Sequence, residues 1–206
     1  MREIIGIEGF AIDITDRKLA EQEKRRFYRD TINSVTQGKL DLVSFEELKE
    51  YLDPSALISI VNSPADTTKT RHNIMEFCAL TGYCDEGAGI FETAVGEALT
   101  NAIKHANGCR VYAGVHNDSI WVAIRDSGPG ISSATLPNST LRRGYSSKTS
   151  LGMGYSIMLD AADKILLCTG SEGTTIVLSV NTVTQEPGIS MNNFPDTWDE
   201  IAASGW

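Results

Sequence analysis

Glu97-Ala98-Leu99-Thr100-Asn101-Ala102-Ile103-Lys104-His105, then Asp126-Ser127-Gly128-Pro129-Gly130-Ile131, then Leu151-Gly152-Met153-Gly154, are the stretches on which the reading of this chain turns. Glu97, Asn101 and His105 recur every fourth residue, so each side chain is turned only about 40° from the one before it and the three share a stripe. The remaining face of that helix, with Phe91, Ala94, Val95, Ala98, Leu99, Ala102 and Ile103, is apolar and has to be buried. A polar stripe in register on a buried helix reads as the wall of a site, although solvated helix faces carry the same residue types. An acid beside an amide oxygen suits a hard cation such as Mg²⁺, and the acid can also take a proton or align a nucleophile.

Asp126 closes an alternating run from Ile120 to Arg125, and Gly128 and Gly130 behind it allow backbone to approach a ligand closely. A carboxylate at that place can accept from a buried donor; an ordinary strand-ending turn has the same composition. Gly152-Met153-Gly154 opens a helix, and the stretch before it holds Arg142, Arg143 and Lys148 without an acid. Exposed amides at a helix N-terminus with cations beside them form a phosphate site, and a solvated loop is the plainer alternative. Ile157 stands where a dinucleotide fingerprint needs its third glycine, and Lys148-Thr149 lacks the glycine of a Walker A loop, so both of those readings are set aside.

Working outward, residues 16 to 35 are rich in Glu, Lys, Arg, Gln and Ala, with Leu19, Phe27, Ile32 and Val35 as a thin apolar stripe and Asp13 or Thr15 as a cap. A long, mostly wet helix of this kind pairs with a second copy, carries a signal between domains, or frays on the surface. A connector over 38–54 contains a short apolar piece (Leu40, Leu42, Val43) and a small helix from Phe45 to Leu52. A strand over 56–61 and a helix from Ser63-Pro64 to about Leu80 come next, then a helix over 86–105. Strands over 110–115 and 120–125, joined by His116-Asn117-Asp118-Ser119, form a hairpin. About 25 residues of loop precede a helix over 154–162 and strands over 164–169 and 174–180. The predicted fold class is α/β, a two-layer sandwich of helices on one face of a mixed β-sheet.

The chain has 206 residues, 41% hydrophobic and 22% charged, enough for one main core. Its net charge of −9, from 18 Lys and Arg against 27 Asp and Glu, argues against nonspecific nucleic-acid binding, which needs a basic surface to displace counterions. Residues 182–206 hold four acids and no base. No apolar run approaches the roughly 20 residues of a membrane helix, and no signal-peptide pattern opens the chain, so a cytoplasmic protein is expected. Cys78, Cys84, Cys109 and Cys168 lack any Cys-x-x-Cys spacing, which points to reduced core residues rather than a zinc site or disulfides.

The order of the motifs is more specific than any one of them. With Gly173-Thr174-Thr175 added, they resemble the N, G1, G2 and G3 boxes of the GHKL ATPases, the gyrase and histidine-kinase type of ATP-binding domain, over about residues 55–181. Glu-Ala-Leu-Thr-Asn-Ala-Ile-Lys-His and the short lid are most similar to the anti-sigma-factor serine kinases. The resemblance implies ATP and Mg²⁺ as cofactors, with Glu97 as general base and Asn101 as metal ligand. It implies that Asp126 accepts from the adenine amino group, with Thr174 supporting it and Gly128 and Gly130 making room for the base. Gly152, Met153 and Gly154 would contact phosphates, Ser146, Ser147 and Lys148 would belong to the lid, and His105 would contact the ligand or simply cap the helix. The implied partner is a regulatory protein, a STAS-type anti-anti-sigma or sigma factor.

Gly9-Phe10-Ala11-Ile12-Asp13-Ile14-Thr15-Asp16-Arg17-Lys18 is similar to the last strand and exit of a PAS sensor domain. Residues 1–15 are therefore expected to be a PAS-like terminal strand, 16–37 a signalling helix that dimerises, and 182–206 an acidic tail, the whole belonging to a longer signalling protein. A sensor histidine kinase needs a phosphoacceptor histidine on its dimerisation helix, and 16–36 has none. His72 lies inside the ATPase segment without the flanking acid and proline. A serine kinase is thus expected first, a PAS-containing histidine kinase second, and an ATP-gated binding module without phosphotransfer third.

Overall fold

The computed structural model describes residues 19–20, 22–83, 87–116, 118–132, 135–141 and 154–182. Their order is helix α1 (22–35), β1 (Leu40–Leu42), a 3-10 helix (Glu46–Leu52), a 3-10 turn (Pro54–Ala56), β2 (Leu57–Val61), α2 (Pro64–Leu80) and α3 (Ala88–Ala106). β3 (Cys109–His116), β4 (Ser119–Arg125), α4 (Leu136–Leu141), α5 (Gly154–Ala161), β5 (Lys164–Gly170) and β6 (Gly173–Asn181) complete it. The six strands form one sheet in the order β1-β5-β6-β4-β3-β2, antiparallel except for the parallel pair β1 and β5. The mixed sheet with helices on one face is the expected α/β sandwich.

Local chemistry sets the element ends. α2 starts at Ser63, whose backbone N–H and hydroxyl both donate to Asp66 at 2.9 Å while Pro64 supplies the first helical φ. α3 stops at Asn107, left-handed at φ 62, and Gly108 turns the chain into β3. The apolar stripe of α3, Phe91, Val95, Leu99 and Ala102, packs with Ile74 and Cys78 of α2 and Met158 of α5 on Val111, Ile120, Val122, Leu167 and Leu178 of the sheet. Phe91, Val95 and Leu99 are fully buried, so at about 25 cal/mol per Å² this stripe supplies much of the apolar burial of the helical layer.

The rest of the tertiary layout departs from the sequence reading in two places. Residues 38–54, expected as a connector, add strand β1 to the sheet edge, with Leu40 paired to Ile165. They also cover the back of the sheet: Leu48 is buried with Tyr112, Trp121 and Val177, and Tyr51 meets the Trp121 ring edge-on at 5.1 Å. Lys39 Nζ donates to the Leu159 carbonyl at 2.9 Å, tying this segment to α5. In the stretch predicted as one loop of about 25 residues, Leu136 to Leu141 form α4, anchored by buried Leu136 and by Thr140, whose hydroxyl donates to the Leu136 carbonyl. Six residues are too short for a helical period to register, and packing on α5 stabilises them. Among the described residues no helix is long and apolar enough to cross a membrane. Cys78 and Cys109 are buried, and Cys168 is half-buried.

Candidate functional site

Glu97 and Asn101 lie half-buried on α3, on the side facing the start of α5. Gly154, the first residue of α5, comes so close that an added Cβ would stand 3.2 Å from Glu97 Oε2 and 3.4 Å from Asn101 Nδ2. The acid, the amide and a helix N-terminus therefore converge, brought together by the packing of α3 on α5. His105, four residues further along the stripe, is exposed. Its backbone carbonyl, with Ala106, forms the surface on which Gly128 rests, since a Cβ there would be 3.1 Å from that oxygen and 2.7 Å from Ala106 Cβ.

Asp126 leaves the end of β4 half-buried, and one of its oxygens is fully used. Oδ1 accepts from the Gly128 N–H at 2.9 Å and from the Thr174 N–H at 3.0 Å, while the Asp126 N–H donates to the Thr174 carbonyl at 2.9 Å. Among the described residues no donor reaches Oδ2. Gly130 (φ +71) and Gly173 (φ +115) close the surrounding turns: a Cβ on either would stand 2.1 Å from a backbone carbonyl, that of Gly170 or of Asp126 respectively. These contacts clamp the turn between β5 and β6 against the Asp126 loop.

Thr169 is a residue that sequence reading did not single out. Its hydroxyl accepts from the Ile131 N–H at 2.7 Å and shares a hydrogen bond with the Thr174 hydroxyl at 3.1 Å. The signal was the hairpin register that places Thr169 opposite Thr174 around Gly170-Ser171-Glu172-Gly173. Two further groups feel the Asp126 charge. Burial, then the Asp126 carboxylate, pushes the Cys109 thiol up to about 12, and the same two causes raise the Tyr155 hydroxyl. Both therefore remain neutral at pH 7.

The donor set suits a purine nucleotide with its metal. A carboxylate with one oxygen tied and one available, glycines against backbone on either side of it, and an acid–amide pair at a helix N-terminus are complementary to an exocyclic amine, a flat base and a metal-bound polyphosphate. Of the other residues expected here, Thr174 reaches Asp126 through its backbone N–H, whereas Ser146, Ser147, Lys148, Gly152 and Met153 lie outside the described residues.

Such an architecture defines a nucleotide-binding domain of the α/β sandwich class. Residues 60–180 match the histidine kinase-like ATPase domain, and the chain belongs to that family. No curated protein matches the chain. Among solved structures, the catalytic domain of histidine kinase ThkA is similar at 15% identity over 60% of this chain and 95% of its own, with a TM-score of 0.41. The histidine kinase domain of the Erythrobacter litoralis EL346 blue-light activated histidine kinase is 17% identical over 66% of this chain and 69% of its own, TM-score 0.39. The Acinetobacter baumannii histidine kinase AdeS is 15% identical over 66% and 74%, TM-score 0.39.

Proposed function

We propose that this chain binds Mg-ATP between α3, the Asp126 loop and the start of α5, and phosphorylates a serine of a regulatory partner protein in the cytoplasm. The observation that carries the nucleotide reading is the meeting of Gly154 with Glu97 and Asn101, which puts helix-terminal amides beside an acid and a metal-binding amide. In this reading Asp126 Oδ2 accepts from the adenine amino group, Gly128 and Gly130 admit the base, and Thr174 holds Asp126 in place. The Asn101 amide oxygen would hold Mg²⁺, which would supply neutralisation of phosphate charge, and Gly152, Met153 and Gly154 would contact the phosphates with Lys148 beside them. Glu97 takes the proton of the acceptor hydroxyl. Ser146, Ser147 and Lys148 belong to the lid, and His105 contacts the ligand or caps the helix.

Asp126→Asn is the direct test of the base assignment. The asparagine oxygen can still accept from Gly128 and Thr174, but an NH₂ then faces the ligand's own donor. ATP affinity is expected to drop by about 1 to 3 kcal/mol, the penalty for a buried unpaired donor. Calorimetry that found parental affinity would remove adenine from this pocket.

The serine assignment rests on position. The helix over 16–36 contains no histidine, and His72 sits exposed on α2 within the ATPase domain itself. Phosphoryl transfer depends on in-line placement, so an acceptor built into the catalytic domain is poorly placed. The PAS-like residues 9–18 favour the second reading, a histidine kinase, because a sensor would then feed the helix directly. Incubation with labelled ATP and STAS-domain proteins separates the two: acid-stable label on a partner serine is expected. Acid-labile, alkali-stable label on the chain, lost in His72→Gln, would make it a histidine kinase, and ATP binding without label on any protein would make it a gated binding module.

Residues 1–15 are read as the end of a PAS-like sensor, 16–37 as its signalling helix, 55–181 as the ATPase unit and 182–206 as an acidic tail. The helix pairs with a second copy: Phe27 and Val35 are 65% and 62% exposed, whereas Ile32 between them is buried in the domain core. Phe27→Asp with Val35→Asp is expected to halve the molar mass by light scattering; an unchanged mass would end the dimer reading.

A further inference from the structure

A second concavity, with no residue of α3 or α5 in its walls, opens between α1, the segment after β1 and the turn joining β5 to β6; its volume is about 730 Å³. Arg25, Arg26 and Arg29 line it from α1, and Arg125 from the end of β4. Glu47 and Glu172 are the acids among its lining residues. Glu47 is already engaged, accepting from the Ser44 N–H and hydroxyl, both at 2.7 Å. Arg125 lies over the Phe45 ring at 4.4 Å, and Arg29 makes one long, exposed contact of 3.8 Å with Asp30. Among the described residues Arg25 and Arg26 have no ion-pair partner. Val43, Phe45 and half-buried Cys168 give the same cleft an apolar floor.

Arginines above an apolar floor are complementary to a peptide that alternates acids with aromatic residues. This chain carries such a segment beyond its described residues, Phe194-Pro195-Asp196-Thr197-Trp198-Asp199-Glu200, within a stretch, 183–206, that has four acids and no base. We propose that the cleft holds this segment of the same chain, with Phe194 and Trp198 on the floor and Asp196, Asp199 and Glu200 at the arginines. The reach is sufficient: β6 runs nine residues, about 30 Å, away from the cleft, and the twelve residue steps from Thr182 to Phe194 span up to about 40 Å back. Because the Gly170–Gly173 turn lines the cleft on one side and packs on Gly130 and Asp126 on the other, the docked tail ties α1 to the wall of the Asp126 site. The proposal rests on the cleft and the tail alone and stands or falls independently of what binds at Asp126.

Cys168 reports occupancy in the full-length chain. Its alkylation by iodoacetamide, followed residue by residue through peptide masses, is expected to be slow in the parent. It should rise about tenfold in the triple variant Asp196→Asn, Asp199→Asn, Glu200→Gln, the combined worth of three exposed ion pairs, and similarly for the parent at 1 M salt. Arg26→Glu should behave the same way, and Arg26→Glu combined with Glu200→Lys should restore protection. Arg26 is chosen over Arg25 because burial raises the Cys168 thiol and the Arg25 charge works against that rise, so replacing Arg25 would change the thiol itself. Equal rates in parent, tail and arginine variants at both salt concentrations would overturn the proposal. Protection that grows with protein concentration would overturn it too, by assigning the cleft to the tail of a second copy.

Discussion

Glu97→Gln is expected to leave Mg-ATP affinity nearly unchanged while lowering phosphate transfer by roughly 10² to 10⁴, the usual worth of a positioned general base. The substitution keeps size and hydrogen-bonding shape, so the close approach of Gly154, where an added Cβ would stand 3.2 Å from Glu97 Oε2, is preserved. What is lost is the capacity to accept a proton. Asn101→Ala differs in kind: it should remove the Mg²⁺-dependent part of ATP binding, read by calorimetry with and without the metal. The two variants thus split kcat from affinity. Parental turnover in both would show that the polar stripe of α3 is a solvated helix face and not a catalytic wall.

Gly130→Ala carries the largest expected cost to stability. At φ +71 an alanine is strained by about 1 to 2 kcal/mol, and its Cβ would sit 2.1 Å from the Gly170 carbonyl, a backbone atom that cannot swing aside. Forced backbone shifts of this sort add about 1 to 3 kcal/mol, for a total of about 2 to 5 out of the 5 to 15 that hold a typical domain folded. Denaturant midpoints measure it, with Gly89→Ala as the contrast. Gly89 lies in the first turns of α3 with open space where its Cβ would go, so alanine there should be neutral or stabilise by up to about 1 kcal/mol. Equal midpoints for the two variants would mean that the clamp between the β5–β6 turn and the Asp126 loop does not exist in solution.

The site was legible in the sequence to the extent that its parts are local. Glu97 and Asn101 share a stripe because four residues make slightly more than one helical turn, and Asp126 follows its strand directly. Thr174 meets Asp126 through its backbone N–H, a contact across 48 positions that no local pattern displays. Thr169 escaped notice because nothing distinguishes one strand threonine from another until the hairpin register sets it beside Thr174 and the Ile131 N–H. Cys109 and Tyr155 were missed for the same reason: their proximity to the Asp126 charge is a property of packing.

What the amino-acid order determined by itself is the set of elements and the layer they form. Apolar residues at helical spacing in α3, the short apolar runs of β3, β4 and β6, the Ser63-Pro64 cap and the Asn107-Gly108 stop are all read within a few neighbouring residues, where side-chain geometry and backbone dihedrals act directly. Tertiary structure alone decided that Leu40–Leu42 completes the sheet as a parallel edge on β5, about 120 residues away, and that Leu48 and Tyr51 cover the back of the sheet. It also decided that Arg25, Arg26 and Arg29 face Arg125 across a cleft. Three residues of strand or a handful of arginines have too little periodicity to specify a partner locally. Their places are set by the burial that remains once the larger elements have packed, and that quantity exists only in the folded chain.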